Sequence, residues 1–451
     1  MHNCIIFIFC FILTGCSTVG FNNLFNDYAN QMTPVRHAIE NNNIEQAQSL
    51  IAKNSSSHSN YLLNQLEQAR IANLQNLSDD AQTQFEDVYD EMQEHREGAK
   101  FKLSAGIEQT NTLFTNDSVI AYIPAPYEMG MLHSYKALNY IYEHDIENAL
   151  VETRRANKVQ KEALADNKID PDEVKMMQDY PSMDKLTRGV KNGFQNAYAF
   201  YLSALLYQST KQFDDAYIDY KKALEIQPNN TYLQRDVIRL AKRQGFDQEL
   251  TEFKKRFGEV NDTPSQGEVI ILLEQGLVPK QKELRVSIPV PTSRGKTRFY
   301  KIAVSTYKND AFVSNIDTAT VDDVSLPLSP LVYLEALAAK TLEKQVPART
   351  SRQILRLVVK EKIRTSLANQ AGDIGNMIAS IYNLASEQAD TRSWLTLPNQ
   401  ISLARTSLNA GKHSLNIGSQ VPINFTVSKQ GLTLIYLTSA SNYFNYHVVQ
   451  L

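Results

Sequence analysis

With 451 residues the chain can hold two or three domains with full cores, and its 43% hydrophobic content is that of a globular chain rather than a disordered one. Charge is nearly balanced, 46 Lys and Arg against 49 Asp and Glu, which argues against a general nucleic-acid binder.

Residues 5–14 form an apolar run too short to span a bilayer, which takes roughly 20 apolar residues. The run reads as the hydrophobic region of a signal peptide, residues 1–15. Leu13-Thr14-Gly15-Cys16 closes it and resembles the bacterial lipobox. That resemblance implies cleavage before Cys16 and fatty acylation of its sulfur, a palmitate-type anchor. Each buried CH₂ contributes about 0.8 kcal/mol, so two or three chains hold firmly. Ser17 stands where an Asp retains Gram-negative lipoproteins in the inner membrane, and so implies the outer membrane, facing the periplasm. The start Met1-His2-Asn3 departs from such signals in having no Lys or Arg. Cys4 and Cys10 leave with the signal. The mature chain then keeps only Cys16, which excludes an intrachain disulfide and a Cys-based metal site. Residues 16–33 read as the lipidated Cys and a polar tether.

Helical spacing begins at Pro34. Val35, Ala38, Ile39, Ile44, Ala47, Leu50 and Ile51 recur around the turn Asn41-Asn42-Asn43. A second pair covers 62–94, with Leu66, Ala69, Ala72, Ala81, Phe85 and Val88. Two prolines, Pro124 and Pro126, make 121–128 an extended loop. A further pair covers 131–159 through Ala137, Tyr140, Ala149 and Ala156, and an insertion at 164–192 follows. Residues 197–230 are the most regular stretch. Phe200, Ala204, Tyr207, Ala216, Tyr220 and Pro228 occupy the places of a tetratricopeptide repeat, with Ala223 as one more small position and Asp214 as a cap. Two antiparallel helices approach closely only where Ala sits at the crossing, and rings fill the gaps beside it. Such a unit cannot bury its apolar face alone, so it predicts neighbours. A last pair, 232–244 and 248–257, turns at Gly245. The pattern predicts a helical solenoid over 34–260.

Polar residues 261–267 with Pro264 mark a boundary. Short β-branched or aromatic runs follow at 268–274, 284–290, 299–306 and 311–316. Helices are expected at 331–342, 351–368 and 371–386. Strands return at 401–404, 414–417, 423–427, 432–437 and 443–449, with Gln430-Gly431 as a hairpin turn. Residues 265–451 thus form a β-rich domain with inserted helices, and the fold class is α+β.

Met-Leu-His-Ser-Tyr-Lys-Ala-Leu-Asn-Tyr at 131–140, Arg154-Arg155-Ala156-Asn157, Glu274-Gln275-Gly276-Leu277-Val278-Pro279-Lys280 and the segment 387–398 around Trp394 resemble a family of tetratricopeptide-containing bacterial envelope lipoproteins. The resemblance covers most of the mature chain. It implies this architecture and address, and a place in cell-envelope or peptidoglycan assembly, but carries no activity.

Catalytic signatures are weak. Ser305-Thr306-Tyr307-Lys308 and Ser182-Met183-Asp184-Lys185 match Ser-x-x-Lys, a two-letter pattern without the accompanying Lys-Thr-Gly. Arg294-Gly295-Lys296-Thr297 lacks the leading Gly of a phosphate loop. No His-x-x-x-His pair exists, so neither a metal site nor a cofactor is expected, and His133 reads as a packed or solvent-facing residue.

Three features are candidate binding sites. Arg235, Arg239 and Lys242 fall on one face of a helix expected to line a concave groove, where they could clamp a peptide carboxylate or simply meet water. Tyr198 and Tyr201 lie on the groove side of the best repeat, either as anchors for a partner or as packing. Residues 340–364 form a basic amphipathic stretch, either membrane- or polymer-facing or a solvated helix face. Trp394 is expected in the C-terminal core. The preferred reading is a non-enzymatic, membrane-anchored scaffold that recruits a protein or peptide at an open groove. An envelope enzyme acting on peptidoglycan instead requires convergent titratable groups in a C-terminal cleft. A purely structural tether predicts a groove filled by the chain itself.

Overall fold

The computed structural model describes residues 27–104, 120–166, 180–259, 266–291, 297–354, 356–357 and 388–451. The signal peptide, Cys16 and most of the tether lie outside these residues. So do Arg294-Gly295-Lys296, the expected helix at 371–386 and most of the one at 351–368.

Helices come first. The short α1 (Tyr28–Gln31) leads into α2 (Thr33–Glu40) and α3 (Ile44–Leu50). Then come α4 (Tyr61–Leu74), α5 (Ser78–Ser104), α6 (Pro126–Tyr142) and α7 (Ile146–Ala165). The short α8 (Asp184–Thr187) lies in the insertion, followed by α9 (Ala197–Ser209), α10 (Phe213–Ile226), α11 (Thr231–Gln244) and α12 (Asp247–Phe257). The pairs α2/α3, α4/α5, α6/α7, α9/α10 and α11/α12 are hairpins, and each hairpin packs on the next. The alanines at the expected crossings, Ala47, Ala69, Ala81, Ala137, Ala149, Ala204, Ala216 and Ala223, are fully buried.

One turn recurs in all five hairpins. Asn42, Asn76, His144, Lys211 and Gly245, each two residues before the second helix, have φ of 59°, 62°, 60°, 64° and 70°. The next residue's N–H then reaches back to a carbonyl of the last turn. Asn43, Leu77, Asp145, Gln212 and Phe246 bond to Ala38, Ala72, Tyr140, Tyr207 and Ala241 at 2.8–2.9 Å. This is a Schellman closure, which satisfies carbonyls that a helix end leaves bare. Asp214, expected as a cap, sits instead inside the first turn of α10, where its charge meets the positive helix end, and Gln212 holds the cap position.

The strands are β1 (Gly267–Gln275), β2 (Lys282–Pro291), β3 (Thr297–Thr306), β4 (Thr318–Val321), β5 (Val324–Pro327) and β6 (Ser329–Tyr333). A helix at 334–354, α13, follows, so the helix expected from 331 begins as a strand. Then come β7 (Gln400–Leu408), β8 (Gly411–Ile417), β9 (Ile423–Val427), β10 (Leu432–Ala440) and β11 (Tyr443–Gln450). Five form one sheet in the order β11-β10-β1-β7-β6, four form another in the order β5-β4-β8-β9, and β2 pairs with β3. The expected strand at 311–316 is a loop. Gln430-Gly431 is not a hairpin turn: β9 and β10 belong to different sheets, and the turn is the corner between them. The two-residue hairpin turns are Asp322-Asp323 and Ser441-Asn442.

Alternation along β1 decides the layering. Glu268, Ile270, Leu272 and Glu274 face one way, and Val269, Ile271, Leu273 and Gln275 the other. Glu274 meets Arg70 and Tyr135 of the helices, whereas Gln275 bonds Ser314 and the carbonyl of Ile316. Both faces are buried, by the hairpins on one side and by residues of the four-stranded sheet such as Leu415, Ile417 and Ile423 on the other. The chain passes from helices to strands between Phe257 and Gly267, but the two parts share one hydrophobic core.

Candidate functional site: the inner face of the helical layer

The inner face of the hairpins carries charged side chains, and they close on this chain's own β segment. Glu274 of β1 is fully buried and accepts from Arg70, from the phenols of Tyr135 and Tyr436 at 2.8 Å each, and from Thr438 at 2.9 Å. Arg70 also lies over the Tyr135 ring, 4.4 Å from its centre. A second node is Arg405 of β7. It pairs with Asp236 of α11 at 3.1 Å and Glu268 at 2.9 Å, and donates to the Tyr220 and Tyr201 phenols at 3.1 and 3.4 Å. Burial would raise the Glu268 carboxyl, but the charges of Arg405 and Arg239 hold it down at about 2.

These contacts correct the expected open groove. Tyr198 and Tyr201 are fully buried. Tyr198 meets Tyr436 of β10, hydroxyl to hydroxyl, at 3.3 Å. Arg235 reaches Ser407 of β7 at 3.5 Å, and Arg239 bonds Gln208 at 2.8 Å. Lys242 alone of the expected clamp is exposed.

An irregular segment, 389–399, with a turn at 395–396, threads between the helices and the sheet, and nearly all of it is buried. Backbone without regular structure in a dry site needs partners for its N–H and C=O groups. Side chains from three helices supply them. Glu67 of α4 accepts from the Leu395 N–H at 2.7 Å, the Thr396 N–H at 3.1 Å and the Thr396 hydroxyl at 2.6 Å. Glu128 of α6 accepts from the Trp394 N–H at 2.8 Å. Arg36 of α2 donates to the carbonyl of Leu395 at 2.6 Å. Burial raises the Glu67 carboxyl to about 7, against the hydrogen bonds from Thr396 and Leu395. Trp394 is fully buried, not in a core of the C-terminal part but among Phe85 and Tyr135 of the hairpins, with ring centres 5.9 and 6.0 Å away.

Beside this segment a cleft of about 290 Å³ opens between residues 120–128, α13 and residues 390–393; the loop expected at 121–128 ends at Ala125, and α6 begins with Pro126. Tyr122, Tyr127 and Tyr307 form its wall, Leu342 and Ala348 its apolar side, and Arg349 and Arg352 also line it. Burial pushes the Tyr307 phenol up to about 12. Asp390 would be raised by burial, but Arg392 and Arg349 hold it at about 2. Glu128 faces the cleft with its carboxyl raised by burial. Its oxygens are nonetheless occupied by Tyr122 at 2.5 Å, Ala125 N–H at 2.8 Å, Tyr127 at 3.2 Å and Trp394. That is the bonding of a structural carboxylate rather than of a free acid.

The Ser-x-x-Lys pairs do not assemble. Ser305 donates to the carbonyl of Asp390 while Lys308 pairs with Asp310 at 2.5 Å, and Ser182 bonds Asp184. His133 is buried against Glu152 at 2.7 Å. Among the described residues no His, Cys, Asp and Glu group has metal-holding geometry, and no helix is long and apolar enough to cross a membrane.

No protein-family model matches the chain, and no curated protein sequence matches it. Solved structures do. The similar structures are tetratricopeptide-repeat proteins. One is a kinesin light chain with nearly identical TPR-like repeats from Podosopora anserina, 14% identical over 51% of this chain and 92% of that one, at a TM-score of 0.27. MamA protein is 13% identical over 52% of this chain and 100% of its own, also at 0.27. The TPR2AB domain of yeast Sti1, in complex with pHSP90, is 13% identical over 51% and 88%, at 0.18. The likeness covers about half of this chain.

The buried charges Arg70, Glu67, Glu128, Glu274 and Arg405 escaped the sequence reading. A signal for two of the contacts was present. Glu274 interrupts an apolar strand and opens the 274–280 motif, and the 387–398 motif contains all but the last residue of the threaded segment.

Proposed function

We propose that the chain is a lipid-anchored scaffold of the bacterial outer membrane, held at Cys16, that binds a protein partner at the cleft beside the threaded segment rather than in the groove of its hairpins. The observation that supports this reading is the occupied inner face. Glu67, Glu128 and Arg36 already treat residues 389–399 as a bound peptide, so a partner must dock elsewhere. The cleft offers the rings of three tyrosines, whose hydroxyls are already bonded within the chain, and the positive charge of Arg349 and Arg352 toward a carboxylate. An extended, acidic or carboxylate-bearing peptide segment fits that chemistry. We assign no catalytic role.

The test is crosslinking in intact envelopes, comparing wild type with Ala348→Trp. Ala348 is an exposed cleft residue, so the indole fills the cleft without entering the core. Partner recovery is expected to fall while the amount of protein stays constant; undiminished recovery removes the cleft as the docking site. Palmitate labelling, lost in Cys16→Ser, checks the anchor. A purely structural tether is the second reading, favoured by the filled groove. It predicts no specific crosslinked partner at all.

A further inference from the structure

The two edges of the five-stranded sheet are built differently. At the β6 edge the Asn230 amide donates to the carbonyls of Ser329 and Pro330 at 3.3 and 3.0 Å, and Tyr232 donates to Pro327 at 2.7 Å. Pro330 also removes a backbone donor there. Among the described residues the β11 edge has no such guards. Its eight residues, Tyr-Phe-Asn-Tyr-His-Val-Val-Gln, include no charge and no proline, the residues that commonly protect an edge from pairing.

The ladder fixes which backbone groups point outward. Leu451 donates to the carbonyl of Leu432 at 2.8 Å, so the odd-numbered residues of β11 bond to β10. Antiparallel pairs alternate, which turns the N–H and C=O of Phe444, Tyr446, Val448 and Gln450 away from the sheet. The Tyr446 N–H donates to the adjacent Asn445 side chain at 2.9 Å, a local substitute that a strand carbonyl can displace. Tyr446 and Val448 are 47% and 36% exposed. The other face of the strand is pinned to the hairpins. Tyr443 donates to Leu74 at 2.6 Å, and His447 stacks on Tyr142 with ring centres 3.9 Å apart. The edge is therefore held in place and, among the described residues, unpaired.

We propose that β11 pairs antiparallel with β11 of a second copy about a two-fold axis, joining two five-stranded sheets into one. The strand is its own complement, since it carries no charge to repel a copy. An axis through His447 sets Tyr446 opposite Val448 of the second copy and the reverse, an aromatic and β-branched pair of the kind that stabilises sheets. The strand is about 27 Å long at roughly 3.4 Å per residue, long enough for up to about eight ladder hydrogen bonds. Guarding at β6 stops the assembly at two copies, a closed isologous dimer rather than a fibre.

The test uses the full-length chain in a mild, density-matched detergent. Sedimentation equilibrium of wild type is compared with the double substitution Tyr446→Lys, Val448→Lys. Wild type is expected to be a reversible dimer, with a dissociation constant at least roughly tenfold tighter than that of the variant. Hydrogen exchange of residues 444–450 is expected to slow with concentration in wild type alone, while the urea midpoint, measured below the dissociation constant where both proteins are monomeric, is unchanged by the substitutions. A wild type that stays monomeric overturns self-pairing, as does a dimer that survives both lysines. Protection that appears in a monomer only on adding envelope extract assigns the edge to another protein's strand, and likewise overturns it.

Discussion

The Arg70–Glu274 pair joins the first half of the helical layer to the first strand of the sheet, and removing either partner should be costly. Both side chains are essentially out of solvent, and the guanidinium is held well above its ordinary range because the Glu274 charge outweighs burial. Glu274→Gln keeps the shape but leaves Arg70 buried without a counter-charge, at a cost of about 3–5 kcal/mol. The Tyr135, Tyr436 and Thr438 donors keep one acceptor fewer between them, adding about 1 kcal/mol for each poorly satisfied group. Arg70→Met should cost a similar amount. The double variant Arg70→Met, Glu274→Leu removes both charges and should be destabilised by at least ~2 kcal/mol less than the sum of the single variants, since apolar replacement of a buried pair is often neutral. Urea unfolding of the four proteins measures the coupling. Additive single effects, or separate transitions for helices and sheet, would refute the view that this pair seals one shared core.

Other outcomes follow from particular residues. Burial raises the Glu67 carboxyl to about 7 from 4.5, so the folded state holds its proton between those values; stability from this group is full below pH 4.5 and lost as pH rises through 7, by about 3 kcal/mol. Comparing urea midpoints at pH 5 and pH 8, Glu67→Gln should flatten that slope; an unchanged slope assigns it to other groups. Gly276 has φ +64° and a Cβ there would lie 2.8 Å from the Phe312 ring, so Gly276→Ala should lower stability by about 1–3 kcal/mol in thermal melts. Lys211 closes the α9/α10 hairpin in a left-handed conformation that glycine adopts freely, so Lys211→Gly should raise the melting temperature, by about 0.5–1 kcal/mol of stability.

Helical pairing was legible because Ala at crossings and rings beside them repeat along the chain, as at Ala204, Tyr207, Ala216 and Tyr220. Turn chemistry was only partly legible. Asn42, Asn76 and Gly245 suit a left-handed closure, whereas His144 and Lys211 adopt it because the flanking helices are fixed by packing. Most strands were readable from β-branched runs. Sheet membership was not, because nothing local distinguishes a hairpin turn from the Gln430-Gly431 corner between two sheets. The candidate site failed at one step. Tyr198, Tyr201, Arg235 and Arg239 were placed on the inner face, and they lie there. What the local pattern could not reveal is that strands more than 150 residues later in the chain occupy that face, since Arg405 meets Tyr220 across 185 positions and Tyr436 meets Tyr198 across 238.

Native-state hydrogen exchange at Trp394, Leu395 and Thr396 tests most directly whether the chain fills its own groove. These amides lie outside any helix or ladder, and the carboxylates of Glu128 and Glu67 take their N–H groups. Protection as slow as that of α9, lost selectively in Glu67→Ala and Glu128→Ala, is the expected result. Exchange at the rate of a solvated peptide would show a groove standing open.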